Sequence, residues 1–208
     1  MTVGGKGHWD TVYETRNHTD VSWYQSQPTK SLELIESTGV SSDAALIDMG
    51  GGASTLVDHL VDRRFSDLTV LDISPLGMRQ AQDRLGSRAG QVSWVVADIR
   101  NFEPQREYSL WHDRALLHFL TARQDCDHYI SALKRALVRG GYFVLATFGP
   151  DGPLKCSGLE VRRYSVETTR QLLGAGFDLC SQELCEHETP TGATQQLLYT
   201  VWKRVGDE

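Results

Sequence analysis

Ile47-Asp48-Met49-Gly50-Gly51-Gly52-Ala53-Ser54-Thr55 decides how this chain folds. Consecutive glycines let the backbone turn tightly and come close to a ligand, where any Cβ would intrude. The apolar run Ala44–Ile47 leads into the turn and reads as a buried strand. Thr55–Arg63, beyond it, has helical length and partial helical periodicity. A glycine turn between a strand and a helix is where α/β sheets take their cofactors.

Downstream the pattern repeats. Leu68–Leu71, Val92–Val96, Tyr108–Trp111 and Tyr142–Ala146 are short β-rich runs bounded by turn residues, with helix-like stretches at Gly77–Leu85 and Asp125–Leu137. Such alternation predicts a parallel sheet covered on both faces. The tail breaks the alternation. Phe177–Cys185 and Gln195–Trp202 are strand-like with no helix between them, and the link His187–Gly192 is dense in turn residues. They predict an antiparallel pair that closes the sheet. The expected fold is α/β: a doubly wound, mostly parallel, seven-stranded Rossmann-like sheet with a C-terminal antiparallel hairpin. Upstream, Trp9–Arg16 and Thr29–Thr38 read as short helices around Val21–Pro28. Residues 1–40 are expected to form a helical lid segment and residues 41–208 the main domain.

Carboxylates at successive strand ends choose the cofactor. Asp48 ends the first strand and Asp72 the second, where it can accept hydrogen bonds from a ribose diol; Ile73 follows it. Asp98, with Ile99 after it, ends the third strand, where it can meet an adenine edge. A dinucleotide would place pyrophosphate at the helix N-terminus, close to the charge of Asp48, and Thr55 stands where the third glycine of that motif belongs. S-adenosylmethionine carries a sulfonium and an ammonium and favours nearby carboxylates. The expected donor site is therefore Asp48, Gly50, Gly51, Gly52, Asp72, Ile73, Asp98 and Ile99, filled by S-adenosylmethionine.

Composition narrows the partners. The formal charge is −6, with no basic stripe, which argues against nucleic acid. No apolar run approaches the roughly 20 residues that span a bilayer, and no signal-peptide core is visible, so a cytoplasmic protein is expected. Cys126, Cys156, Cys180 and Cys185 form no CxxC pair and fit no zinc template, so no metal is expected.

Residues from about 44 to 148 resemble the class I S-adenosylmethionine-dependent methyltransferases. The family's Asp-x-Gly-x-Gly-x-Gly loop is matched by Asp48-Met-Gly50-Gly-Gly52-Ala-Ser54, with Ser54 at the last glycine. Asp72, Asp98, Gly140-Gly141 and the terminal hairpin match as well. Within that family, Trp9–Pro28 and Trp111-His112-Asp113-Arg114-Ala115-Leu116 resemble the thiopurine and thiol methyltransferases, which carry Trp-Asp-Arg-Gly-Ala-Leu after strand four. Trp9-Asp-Thr-Val-Tyr13 is similar to the start of elongation-factor lysine methyltransferases. The resemblance implies methyl transfer to a small-molecule acceptor, a thiol or other soft nucleophile. Its alternatives are a protein lysine N-methyltransferase and a non-catalytic S-adenosylmethionine sensor, and a protein substrate stays open.

The acceptor should lie beyond the carboxyl ends of the strands. Asp113, Arg114 and His112, after strand four, are the expected catalytic residues: a carboxylate or imidazole to take a proton, and a guanidinium to hold an anion or to lower a thiol's pKa. Trp23, Tyr24, His118, Arg163 and Tyr164 are the expected acceptor-binding residues.

Overall fold

The computed structural model describes residues 4–206; residues 1–3 and 207–208, the ends of the two expected segments, lie outside the described residues. In chain order the elements are α1 (Lys6–Thr15), α2 (Thr29–Ser37), β1 (Leu46–Met49), α3 (Leu56–Asp62), β2 (Leu68–Asp72), α4 (Pro75–Leu85), β3 (Val92–Val96), β4 (Tyr108–Arg114), α5 (Arg123–Ala136), β5 (Leu137–Phe148), β6 (Lys155–Cys156), β7 (Leu159–Glu160), α6 (Val166–Leu173), β8 (Phe177–Glu188) and β9 (Thr194–Arg204). Seven strands form one sheet in the order β3-β2-β1-β4-β5-β9-β8. The first five are parallel; β9 runs antiparallel to β5 and to β8, so β8–β9 is the antiparallel pair that the sequence predicts while β8 itself points the same way as the first five. The strand order reverses between β1 and β4, and a crevice opens there beyond the strand ends.

Alternating side chains feed two cores. Leu46, Leu110 and Val144 pack on one face against Leu32 and Ile35 of α2, Val57 and Leu60 of α3, and Met78 of α4. Ile47, Trp111 and Phe143 pack on the other against Tyr129 and Leu133 of α5 and Leu173 of α6. Because α2 contributes to the first core, the N-terminal segment is built into the body of the fold.

Local chemistry sets the helix starts. Ser74 caps α4, its hydroxyl accepting from the Gly77 amide, and Pro75 supplies a preset φ at the first helical position. Ser165 and Thr168 form a reciprocal capping box on α6. Neither that helix nor the small β6–β7 hairpin is marked by an apolar run in the sequence.

Candidate active site

The glycine turn is built for close approach. Gly50 and Gly52 have φ of +67° and +42°, a region that costs a side chain about 1–2 kcal/mol. A Cβ on Gly50 would lie 2.8 Å from Leu116 Cδ1, and one on Gly52 would strike the Tyr13 hydroxyl. Arg84 of α4 fastens the far side, donating to Ala53 O at 3.0 Å and Ser54 O at 2.7 Å while paired with Asp58.

Asp72 ends β2 in a fully buried position. Burial pushes its carboxyl up to about 7; the Ser74 amide, donating at 2.7 Å, pulls the other way, and nearby Asp48 pushes further up. Burial likewise raises the Tyr13 phenol, with Asp72 adding to it. At Asp98 burial is outweighed by Arg100, whose amide donates at 3.0 Å and whose Nε donates at 2.8 Å, so that carboxyl sits below its usual range. Asp72, Ile73, Asp98 and Ile99 line one cavity of about 330 Å³ together with Gly50, Trp9, Tyr13, Trp23, Arg114, Leu116, Phe119 and Cys156. Asp48, Gly50 and Gly51 line a smaller cavity of about 40 Å³ beside it, with Tyr24, Ser54 and His112. The glycine cradle, the buried carboxylate and the apolar Ile73 and Ile99 fit a nucleoside with a charged tail. Asp72 would hold the ribose, Asp98 and Ile99 the adenine, and Asp48 the ammonium end.

The acceptor expectations fare unevenly. Arg114 lines both cavities. Its Nη1 donates to Trp23 O at 2.9 Å and its Nε to Tyr199 Oη at 3.2 Å, and among the described residues no carboxylate pairs with it. Asp113 turns the other way. Its carboxylate accepts from the Leu116 and Leu117 amides at 2.8 and 3.1 Å and from Tyr129 Oη at 2.7 Å, and burial raises it to about 6. It orders the turn after β4 and faces neither cavity. His112 is no acceptor-side base either: both ring nitrogens are engaged, Nδ1 with Asp48 Oδ1 at 2.7 Å and Nε2 with Ser31 Oγ at 2.9 Å. His118 is wholly buried between Phe119 and Phe148, at ring distances of 4.5 and 4.6 Å, and it too lines neither cavity. Arg163 is exposed and Tyr164 lies in the α5–α6 core, so both miss the crevice. Trp23 and Tyr24 do line it.

Tyr13, Ala115 and Phe119 are wall residues that the sequence did not single out, and Trp9 entered it only as part of the lid segment. Trp9 meets Trp23 and Phe119 edge to face, at 5.9 and 5.0 Å, and this trio walls the large cavity. Tyr13 follows one helical turn after Trp9, a spacing that puts both on one face of α1. Ala115, between Arg114 and Leu116, sits at φ +73° while its amide donates to Ala146 O at 2.8 Å.

Known proteins share the domain and the fold. Residues 46–141, just under half of the chain, match the family model described as a methyltransferase domain. The mouse eEF1A lysine and N-terminal methyltransferase is 26% identical over 68% of this chain, which spans only 21% of that protein. A malonyl-[acyl-carrier protein] O-methyltransferase from Paenibacillus is 27% identical over 83% of this chain and 68% of its own length. The structure of the N-methyltransferase NodS from Bradyrhizobium japonicum, in complex with S-adenosyl-L-homocysteine, superposes with a TM-score of 0.73 at 17% identity, covering 95% of this chain and 98% of that one. The matched domain and the fold are those of an S-adenosylmethionine-dependent methyltransferase. S-adenosylmethionine is the cofactor of this domain.

Proposed function

We propose that the chain methylates a small acceptor that reaches the site already ionised, a thiolate or a carboxylate. When bound, S-adenosylmethionine supplies an electrophilic methyl on sulfur. The chain's residues hold the two reactants together, which is worth roughly 7–11 kcal/mol of the barrier. The observation that carries the reading is Arg114, a half-buried guanidinium with no carboxylate partner among the described residues, on the cavity wall. Its partners are neutral, so its charge is left to attract an anion. The two groups expected to remove a proton, Asp113 and His112, are both tied up by protein partners. An ionised acceptor has no proton to lose and needs neither. Helix α1 and the turn that follows it to Trp23 act as the lid, bringing Trp9 and Trp23 over the crevice, while α2 stays packed in the core. The reading keeps the thiol-methyltransferase resemblance open, and it also suits malonyl-[acyl-carrier protein], the acceptor in one relative's name, because a malonyl group carries a carboxylate.

A second reading, lysine N-methylation, draws on Asp125 and Glu160 in the lining of the large cavity and on the elongation-factor enzymes among the relatives. Arg114 opposes it, since a lysine ammonium would have to pass a like charge. The test is labelled transfer to small thiols, small carboxylates, amines and a protein extract, with wild type and Arg114→Gln. Thiols or carboxylates should be methylated. The variant should lose about tenfold or more in kcat/KM for them, a larger loss than any in its S-adenosylhomocysteine affinity, while its melting temperature holds. Transfer to protein lysines that survives Arg114→Gln would establish the second reading. Tight cofactor binding with transfer to no acceptor would identify a sensor.

A further inference from the structure

Asp48, His112 and Ser31 form a closed line of hydrogen bonds across three elements. Asp48 and His112 are register partners on β1 and β4, and Ser31 projects from α2. Their exposures are 4%, 2% and 1%. A carboxylate oxygen accepts, so the ring donates through Nδ1, at 2.7 Å, while Nε2 meets the Ser31 hydroxyl at 2.9 Å. All three residues line the small cavity under the glycine turn, separate from the one that holds Trp9 and Phe119. Asp48 Oδ2 lies 2.7 Å from where a Cβ on Gly51 would stand, so the carboxylate lies flat against the turn only because that residue is glycine. Asp48 also repels the buried Asp72. A carboxylate held there needs a donor behind it, and this pocket is where the cofactor's charged tail would reach.

We propose that His112 is a positioning residue for the cofactor: braced by Ser31, it fixes the Asp48 carboxylate toward the pocket that takes the amino-acid tail. The proposal rests on the S-adenosylmethionine reading of the site. It predicts that His112 matters for the tail and not for the nucleoside, and that the tail pocket is complete only when α2 is seated.

Two ligands separate these contributions. S-adenosylhomocysteine has the tail, and 5′-methylthioadenosine has the same nucleoside and sulfur without it. In calorimetric titrations, His112→Leu should weaken S-adenosylhomocysteine by about tenfold or more and change 5′-methylthioadenosine by no more than about twofold. His112→Asn keeps a donor toward Asp48 and should restore most of the loss. Ser31→Ala, a small change in the helix, should give the same split with a smaller amplitude and serves if His112→Leu does not fold. Parallel weakening of both ligands, or no change in either, would overturn the proposal. Failure of the wild type to bind either ligand would overturn the cofactor reading instead.

Discussion

His118 shows what a buried imidazole costs when nothing answers it. Neither ring nitrogen has a hydrogen-bond partner, and its neighbours are two phenyl rings. Burial pushes its pKa down to about 3, with Arg114 adding to the shift. The unfolded chain therefore binds a proton that the folded chain refuses. Stability from this residue is intact above the unfolded value and is lost as pH falls through about 6.5 toward 3. His118→Phe should stabilise the protein by about 1–3 kcal/mol near neutral pH, and by more at pH 5, as read by chemical denaturation. No gain at acid pH would mean that His118 has partners in solution. The neighbouring strand explains which site residues were legible. Asp48, Asp72 and Asp98 end strands that the apolar runs mark clearly. In β4 the run was read as ending at Trp111, whereas the strand continues to Arg114. Successive strand residues face opposite sides. Leu110, His112 and Arg114 thus share the α2 side, and Trp111 and Asp113 share the α5 side with Tyr129. Expecting Asp113 and Arg114 both to face the acceptor requires a loop where the chain is still pleated.

At the scale of elements, α1 is the part whose seating decides the shape of the cavity. Ser74 Oγ donates to Asp10 at 2.7 Å, and Gln80 Nε2 donates to Tyr13 O at 3.1 Å, so the anchors come from the cap and the middle of α4. Between them, the Tyr13 ring lies where a Cβ on Gly77 would come within 2.6 Å. Gly77→Ala should favour α4 itself by up to about 1 kcal/mol and yet push Tyr13 out. The expected result is earlier proteolytic cleavage within residues 4–20 and weaker S-adenosylhomocysteine binding, with the denaturation midpoint of the remaining body unchanged or raised. Unchanged protease resistance would show that α1 adapts to the methyl. The elements that escaped the sequence were those without long apolar runs. Helix α6 spans only eight residues, and the Ser165–Thr168 box was its one clear signal. The strands of β6–β7 have two residues each, too few for an alternation to register.

For the whole molecule, acid response is a contest between buried groups. Asp72 and Asp113, raised to about 7 and about 6, hold protons in the fold that the unfolded chain has released. Their effect is that stability falls as pH rises from about 4 to those values, opposite in sign to His118. In Asp72→Asn the Asp72 part of the slope should vanish, a change of up to about 4 kcal/mol between pH 4 and 8 at 1.36 kcal/mol per unit. The same variant should bind S-adenosylhomocysteine at least about tenfold more weakly, because the ribose loses its charged acceptor. Equal slopes in wild type and variant would place the carboxyl in contact with water. The sheet's outer margin has a different consequence. Among the described residues strand β8 pairs only with β9, leaving twelve residues of backbone along one edge; Asp178, Glu186 and Glu188 are spaced along it, while Glu183 is paired with Lys30. Two copies meeting edge to edge would set these carboxylates against one another. Like charge along an open strand is a guard against runaway strand addition, so this margin keeps concentrated protein from growing sheets across molecules, and it would weaken as acid or high salt removes the repulsion.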